Sequence, residues 1–157
     1  DLGVVEICED ITEEQRDQLK ANLKKSGLDL LDNKRSILVE SIKILIIEMI
    51  HYSEKEEDKN INFSDLISKE LDYDYTYLAN VFSEVKGITI QQFIILNKIE
   101  RAKEIILYDQ LSLKEIAYKL NYSSLSHFSK QFKRITGLTP VYYRGIAEKR
   151  RRNLEDL

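Results

Sequence analysis

SLKEIAYKLNYSSLSHFSKQFKRITGLTPVYYR, residues 112–144, is the stretch that decides the fold. It begins with Ser112, an apt helix N-cap, and Gly137 stands where a glycine commonly ends a helix. Ile116, Phe128 and Phe132 lie between them at helical spacing. The pattern predicts a short helix, a turn of three or four residues and a second helix, which together form a helix-turn-helix unit.

The same pattern occurs once before in the chain. Asn62, Phe63, Leu66 and Ile67 match Ser112, Leu113, Ile116 and Ala117 at a separation of 50; Leu71 and Tyr73 match Leu120 and Tyr122 at 49; Leu78, Phe82, Gly87 and Thr89 match Phe128, Phe132, Gly137 and Thr139 at 50 again. A one-residue difference in the turn accounts for the change of separation from 50 to 49. An internal repeat of this kind predicts two helix-turn-helix units in tandem.

A single amphipathic helix from about Thr89 to Tyr108 is predicted between the two units. About 20 residues at 1.5 Å each span roughly 30 Å. Successive major grooves on one face of B-DNA lie about 34 Å apart. A rigid linker of this length could therefore hold two recognition helices in adjacent grooves of one duplex.

The formal net charge of -3 is distributed unevenly along the chain. Residues 1–33 carry 4 basic and 9 acidic side chains, whereas residues 111–157 carry 10 basic and 4 acidic ones. A basic carboxyl-terminal third favours a polyanionic partner. The basic run Lys149–Arg152 is interpreted either as a solvated tail or as a phosphate-binding one.

Residues 1–33 predict a strand, a helix and a strand. Val4, Val5 and Ile7 form a β-prone run; Thr12 and Gln15 form a capping box for a helix that Gly27 stops; Leu28, Leu30 and Leu31 form the returning strand. This part of the chain resembles the end of a ferredoxin-like heavy-metal-associated domain. The Cys-x-x-Cys motif that holds metal in such domains is absent from the sequence.

A long helix is predicted from Lys34 to Tyr52, followed by an acidic connector at 54–59. Its apolar residues cover more than one face, so we expect the helix to be covered on two sides. The following domain would cover one side. The amino-terminal residues would cover the other, or a second subunit would do so in a homodimer.

Composition excludes several classes of function. Cys8 is the single cysteine, and His51 and His127 are far apart, so no metal site and no cofactor are expected. No nucleophile–base pair, phosphate loop or pair of carboxylates indicates an enzyme. The most apolar run, at 37–50, is too short to span a bilayer, and we expect a cytoplasmic, nucleoid-associated protein.

The sequence resembles the DNA-binding domain of the AraC/XylS family of bacterial regulators, with the matching motifs in the linker and the second helix-turn-helix unit. The match consists of Lys98–Lys103, Leu113–Ala117, Asn121–Ser124 and His127–Arg134, and continues through Gly137–Pro140 to Tyr142–Arg144. It covers about Phe63 to Arg144. The resemblance implies a seven-helix, two-lobed domain whose third and sixth helices, here about Asp74–Lys86 and Ser124–Thr136, enter the major groove.

The resemblance also implies which residues face base edges: Thr76, Ala79 and Asn80 in the first unit, and Leu125, Ser126, Ser129 and Lys130 in the second. Their chemistry suits that role, since Lys130 could donate to guanine, Asn80 could pair with adenine, and Ser126 or His127 could donate to several base edges. Helical spacing alone directs Leu125 toward the core instead.

Phosphate contacts are expected from Lys86, Lys133, Arg134 and Arg144, and from the helix amino termini near Ser112 and Thr139. The first unit departs from the family's usual charge pattern. Asp72 and Asp74 precede its recognition helix, and Ser83 and Glu84 stand where a basic residue is common. We therefore expect the second unit to supply most of the electrostatic affinity and the first to tune specificity.

The sequence thus predicts a mainly α fold with tandem helix-turn-helix units and a short amino-terminal β-α-β fragment. The domains are a partial α/β fragment (1–33), a connecting helix and acidic linker (34–60), the tandem domain (61–150) and a tail (151–157). The leading hypothesis is a sequence-specific transcription regulator that binds double-stranded DNA and contacts RNA polymerase, with an effector implied by the family. The alternative is a protein-interaction module that retains the tandem scaffold.

Overall fold

The computed structural model describes residues 11–28, 34–52 and 62–155. All regular structure in those residues is helical. The helices are α1 (Glu13–Lys25), α2 (Lys34–Tyr52), α3 (Phe63–Leu71), α4 (Tyr75–Lys86), α5 (Ile90–Tyr108), α6 (Leu113–Lys119), α7 (Leu125–Thr136) and α8 (Pro140–Glu155). The chain divides into two compact units, Asp1–Ile37 and Leu38–Leu157.

The described part of the first unit is mainly the short helix α1. Thr12 and Gln15 form the predicted capping box, with the Thr12 N–H donating to Gln15 Oε1 at 2.9 Å. The helix ends at Ser26 and Gly27, whose φ of +74° requires glycine, as expected. No residue of α1 is buried.

The predicted β-α-β fragment is not supported, because no strand occurs among the described residues. Leu28, expected to start the returning strand, is 59% exposed and not part of a strand. The remaining residues of the two predicted strands lie outside the described residues.

The described residues of the compact unit Leu38–Leu157 form two hydrophobic clusters. The first lobe is α2, α3, α4 and the beginning of α5; its cluster includes Leu38, Val39, Ile42, Ile46, Ile67, Leu78, Val81, Phe82, Ile90 and Ile94. The second lobe is the rest of α5 with α6, α7 and α8; its cluster includes Ile99, Ala102, Ile105, Ile106, Ile116, Ala117, Leu120, Phe128 and Phe132. The long helix α5 therefore contributes to both cores.

Helix α2 begins and ends at the predicted residues and belongs to the first lobe. Ile42 and Ile46 are fully buried in its core, whereas Ile44 and Ile47 on another face are 42% and 36% exposed. With α2 as its first helix, the region 34–155 has the seven helices that the family resemblance implied. We accordingly propose that the tandem domain begins near Leu38, where the compact unit begins, rather than at 61.

The predicted caps are present in both helix-turn-helix units. Asn62 and Ser112 cap α3 and α6, and Gly87 and Gly137 end α4 and α7 with φ values of +72° and +79°. The first helices end next to Asp72 and Asn121, which have φ values of +55° and +56°. These two residues are 49 positions apart, as are Leu71 and Leu120 before them, whereas earlier and later positions of the repeat are 50 apart. The separation therefore changes from 50 to 49 before the left-handed residue and back to 50 after it.

Candidate nucleic-acid interface

Helix α7 presents a basic face on the surface and an aromatic face to the core. Phe128 and Phe132 are fully buried and contact each other edge to face at 5.6 Å between ring centroids. Ser126, Lys130 and Lys133, at i, i+4 and i+7, are exposed on the opposite side. The burial of the two rings therefore fixes which cations point outward.

The position of α7 is also held by Tyr122, which precedes it. The Tyr122 hydroxyl donates to Gln131 Oε1 at 2.7 Å, and its ring lies 5.3 Å from that of Phe128. Burial raises the pKa of Tyr122 to about 12, so the hydroxyl stays a protonated donor even above pH 10, where an exposed tyrosine ionises. Tyr122 and Tyr143 are half-buried and pack against the core.

The amino terminus of α7 is formed by Ser123, Ser124 and His127. Ser124 caps the helix by accepting from the His127 N–H at 3.1 Å. The His127 ring is exposed and lies 3.2 Å, Nδ1 to Oγ, from Ser123. This contact fixes the orientation of the imidazole at the exposed start of the helix, where it can donate or accept.

The four residues expected to face base edges in α7 differ in exposure. Ser126 and Lys130 are exposed, Ser129 is half-buried, and Leu125 is 40% exposed. Leu125 is therefore on the surface, as the family resemblance implied, and not in the core, as helical spacing alone suggested. The structure groups all four at the amino-terminal half of the helix.

Helix α4 is the counterpart of α7 in the first lobe, with the opposite charge around it. Its N-cap is Asp74, whose carboxylate accepts from the Tyr77 N–H at 3.2 Å. Thr76 and Asn80, at i and i+4, are exposed, and Ala79 is half-buried against the core. The three residues share one face of the helix, as expected for a recognition surface.

The residues expected to contact phosphate are in different surroundings. Lys133 and Arg134 are exposed in the last turn of α7, and Lys86 is exposed in the last turn of α4. Thr139 is exposed too, and its hydroxyl accepts from the Tyr142 N–H at 3.3 Å. These four positions are accessible to a ligand on the surface.

Ser112 and Arg144 already have internal partners. The Ser112 N–H donates to Glu115 Oε2 at 2.7 Å, and the hydrogen bonds from Ser112 hold the pKa of Glu115 below its usual value. Arg144 donates from Nη2 to the Leu111 carbonyl at 2.6 Å and so ties α8 to the loop before α6. The phosphate contacts predicted for these two residues have no support in this geometry and stay predictions.

Part of the basic run in α8 is also engaged. Lys149, Arg150, Arg151 and Arg152 are all exposed, and Arg151 in addition donates to the Leu107 carbonyl near the end of α5. The basic run is therefore part of α8, and one of its four cations already has a partner within the protein.

Sequence reasoning missed the hydrogen bond between Tyr122 and Gln131 and the position of Lys98. Lys98 lies between the lobes, with its Nζ 5.7 Å from the Phe63 ring centroid and 5.2 Å from that of Tyr122. Tyr73 and Tyr122 occupy equivalent positions in the repeat, which indicates a packing role common to both. That Lys98 and Gln131 contact the same Tyr122 side chain is evident only from the folded structure.

The described residues contain no group of three or more His, Cys, Asp or Glu side chains that could hold a metal ion. None of the helices formed by them is both long enough and apolar enough to cross a bilayer.

Comparison with known proteins identifies similar chains and folds. The helix-turn-helix domain family matches residues 67–145. The chain is 27% identical over 132 residues to the uncharacterised HTH-type transcriptional regulator YtdP of Bacillus subtilis, covering 84% of this chain. It is 31% identical over 121 residues to the probable transcriptional regulator LumQ of Photobacterium leiognathi, covering 77% of this chain. It spans only 17% and 46% of the length of these two relatives.

A solved structure has the same fold. The DNA-binding domain of the global transcriptional factor AdpA, determined in complex with a target DNA, superimposes with a TM-score of 0.58 at 18% identity. The match covers 72% of this chain and 95% of the AdpA domain.

Proposed function

The chain belongs to the AraC-type helix-turn-helix family, and from this premise we propose that it binds double-stranded DNA as a sequence-specific transcriptional regulator. In this proposal α4 and α7 enter successive major grooves of one duplex. The observation that carries it is the exposed basic face of α7, which the burial of Phe128 and Phe132 orients outward.

The spacing of the two helices supports the proposal. Helix α5 has 19 residues and contributes to both cores, so the lobes are joined by a continuous rod. Its length is about 28 Å at about 1.5 Å per residue, close to the roughly 34 Å between successive grooves.

Each lobe has its own role in the proposed complex. In the second lobe Ser126 and Lys130 read bases, while Lys133 and Arg134 contact phosphates. In the first lobe Thr76 and Asn80 read bases, and Lys86 supplies one phosphate contact. Lys130 suits guanine, and Asn80 suits adenine, because their donors and acceptors match those base edges.

A second candidate function rests on the acidic surface of the first lobe. Residues 61–87 carry 2 basic and 5 acidic side chains, a charge that opposes binding to phosphate. This lobe could instead contact a protein such as RNA polymerase or another regulator. The exposed Ile44 and Ile47 on α2 offer a further surface, for which a homodimer contact is one proposed use.

Selection of bound sites from random duplexes tests the proposed function. We expect enrichment of sites with two conserved segments about one helical turn apart, and affinity that falls with salt. Lys130→Ala should relax the preference at one base pair in the segment bound by α7, by about 1–3 kcal/mol of discrimination. Lys20→Ala, an exposed lysine on α1 outside the tandem domain, is the matched control and should change neither sequence preference nor affinity.

Two results would contradict the proposal. Absence of binding to any duplex at low salt would favour the protein-interaction module. Binding that is equally tight to every sequence would retain DNA binding but remove the regulatory specificity.

A further inference from the structure

A cavity of about 410 Å³ lies where α2, the start of α3, α5 and the end of α6 meet. Met49, Ile50 and Phe63 form part of its wall on the side of the first lobe, and Leu120 forms part of it on the side of the second. Cavities that hold small organic ligands have volumes of about 300–1,000 Å³. The site is therefore large enough for a small molecule, and it is separate from the exposed faces of α4 and α7.

Among the described residues that line the cavity, the charged ones are all cationic. They are Lys98, Arg101 and Lys119, and none of the described lining residues is acidic; the His51 ring also lines the cavity. Arg101 pairs with Glu104 at 2.9 Å. In the described part of the chain, neither Lys98 nor Lys119 has a carboxylate within ion-pair distance.

Lys98 is the most constrained of these cations. Its ammonium faces the rings of Phe63 and Tyr122, and burial lowers its pKa below the usual value. Cation–π contacts stabilise such a charge only in part. A carboxylate in the cavity would supply the hydrogen-bonding counter-ion that none of the described residues provides.

The rest of the wall is apolar and partly aromatic. Met49, Ile50 and Leu120 offer aliphatic surface, and Phe63 and Tyr118 offer rings. A ligand that satisfied only Lys98 would leave this surface uncovered, while a neutral apolar ligand would leave the ammonium without a counter-ion. The lining favours a molecule with both parts.

We propose that this cavity binds a small organic carboxylate with a planar apolar body. The carboxylate pairs with the Lys98 ammonium, with Lys119 at the edge of the site. The apolar body lies against Met49, Ile50 and Phe63.

Such a ligand would act on the second recognition helix. Lys98 contacts the ring of Tyr122, and the hydroxyl of Tyr122 donates to Gln131 on α7. A carboxylate that draws the ammonium away from this ring alters the packing that holds α7. The change in DNA affinity that we expect from it rests on the proposed function.

Calorimetric titration of the whole chain with 2-naphthoate tests the site. We expect saturable binding at one site. Acetate keeps the charge without the ring system, and 2-naphthalenemethanol keeps the ring system without the charge. Each should bind at least about tenfold more weakly: the alcohol loses the charge-assisted pair with Lys98, and acetate buries far less apolar surface.

The matched variants are Lys98→Met, which keeps the length of the apolar stem, and Lys114→Met, a lysine outside the cavity. Lys98→Met should bind 2-naphthoate at least about tenfold more weakly because it loses the charge-assisted pair. Lys114→Met should bind it as the unchanged protein does. Circular dichroism establishes that both variants are folded.

Amide chemical shifts keep the proposal testable if Lys98→Met does not fold. Titration of the unchanged protein should shift Ile50, Leu120 and Asn121, which line the cavity. Shifts confined to other residues would overturn the site. Equal affinity for acetate or inorganic phosphate, or for the alcohol, would overturn the carboxylate assignment.

None of these binding measurements uses DNA, so they are independent of the proposed function. Repeating the DNA titration with saturating 2-naphthoate tests the coupling to α7. A change of at least about threefold in DNA affinity, or about 0.6–0.7 kcal/mol, would support it. Ligand binding with unchanged DNA affinity would keep the site and overturn the coupling.

Discussion

The two lobes share one backbone pattern and differ in the charge of their surfaces. In each helix-turn-helix unit the first helix is capped and followed closely by a left-handed residue, and a glycine ends the recognition helix. Yet residues 72–86 carry three acidic side chains and one basic one, whereas residues 121–136 carry three basic side chains and no acidic one. Repeated packing and capping therefore preserve the scaffold while the exposed positions diverge. The lobes can contribute equally to stability and still differ in the DNA binding that we propose.

The equal role of the two cores can be tested first, since it involves the largest expected effect. Phe82→Ala and Phe132→Ala remove fully buried rings and should each destabilise the protein by about 3–5 kcal/mol in chemical denaturation. Phe132 should be at the upper end because it contacts both Phe128 and Tyr143, while the ring contact of Phe82 is with Phe93.

Leu125→Ala is the control for the aromatic substitutions. Leu125 is 40% exposed, so its loss should change the free energy of unfolding by less than about 1 kcal/mol. A small effect of either phenylalanine substitution would mean that the core of that lobe contributes little to the stability of the protein.

Tyr122 provides a difference between the lobes that depends on pH. The pKa of Tyr122 is about 12 in the folded protein and about 10 in an unfolded chain. Its contribution is therefore complete below pH 10 and is lost as pH rises from 10 to 12. After allowance for its remaining exposure, we expect a loss of about 1–2 kcal/mol in this range.

The comparison with Tyr122→Phe isolates this titration. The variant lacks the ionisable hydroxyl and the bond to Gln131. The difference in the free energy of unfolding between the two proteins should shrink as pH rises from 10 to 12. A constant difference across these pH values would show that Tyr122 has no raised pKa.

The two helix-ending glycines test whether the repeated caps are equivalent. Gly87→Ala and Gly137→Ala should each cost about 1 kcal/mol in thermal or chemical unfolding, because both φ values are positive. No atom lies within 4 Å of the added Cβ at either position, so strain in the backbone is the cause and not a clash.

Gly145 is the matched control for these caps. It lies within α8 without a positive φ, and again no atom lies within 4 Å of an added Cβ. Gly145→Ala should stabilise the protein by about 0.5–1 kcal/mol through its helix propensity. Stabilisation by alanine at 87 or 137 would contradict the left-handed conformation there.

The salt dependence of DNA binding tests the unequal surfaces with the smallest expected effect. Lys133→Ala should reduce the slope of log affinity against log salt by about 0.9, the value for one phosphate contact. Lys86→Ala should reduce it less, since nearby acidic residues oppose phosphate binding. An equal or larger effect from Lys86→Ala would overturn the assignment of most electrostatic affinity to the second lobe.

Local features could be predicted from the sequence because they depend on residues close together in the chain. The bounds of α2, the caps at Asn62 and Ser112, and the glycines at 87 and 137 all follow from short-range rules. The turns between paired helices were predicted only in part. Residues 72–74 form a turn of three residues, as expected, whereas residues 120–124 form a turn of five, where three or four were expected.

Contacts between distant residues could not be predicted. The bond from Arg144 joins it to a carbonyl 33 residues away, and the burial of Ile42 and Ile46 depends on helices that begin after residue 62. The exposed faces of α4 and α7 could be inferred from helical spacing and the family resemblance. Which cations already have internal partners became evident only from the folded arrangement.

The helix α5 also fixes the rotation of one lobe relative to the other about the helix axis. Ile94 packs in the first core and Ile99 in the second, so the register of one lobe against the other is fixed by a few residues of continuous helix. One residue inserted between them would rotate the second lobe by about 100° and advance it by about 1.5 Å. If the chain binds DNA as proposed, the number of residues in α5 therefore determines the spacing of the two half-sites. A different spacing with the same orientation of the lobes would require the insertion or deletion of about one whole helical turn.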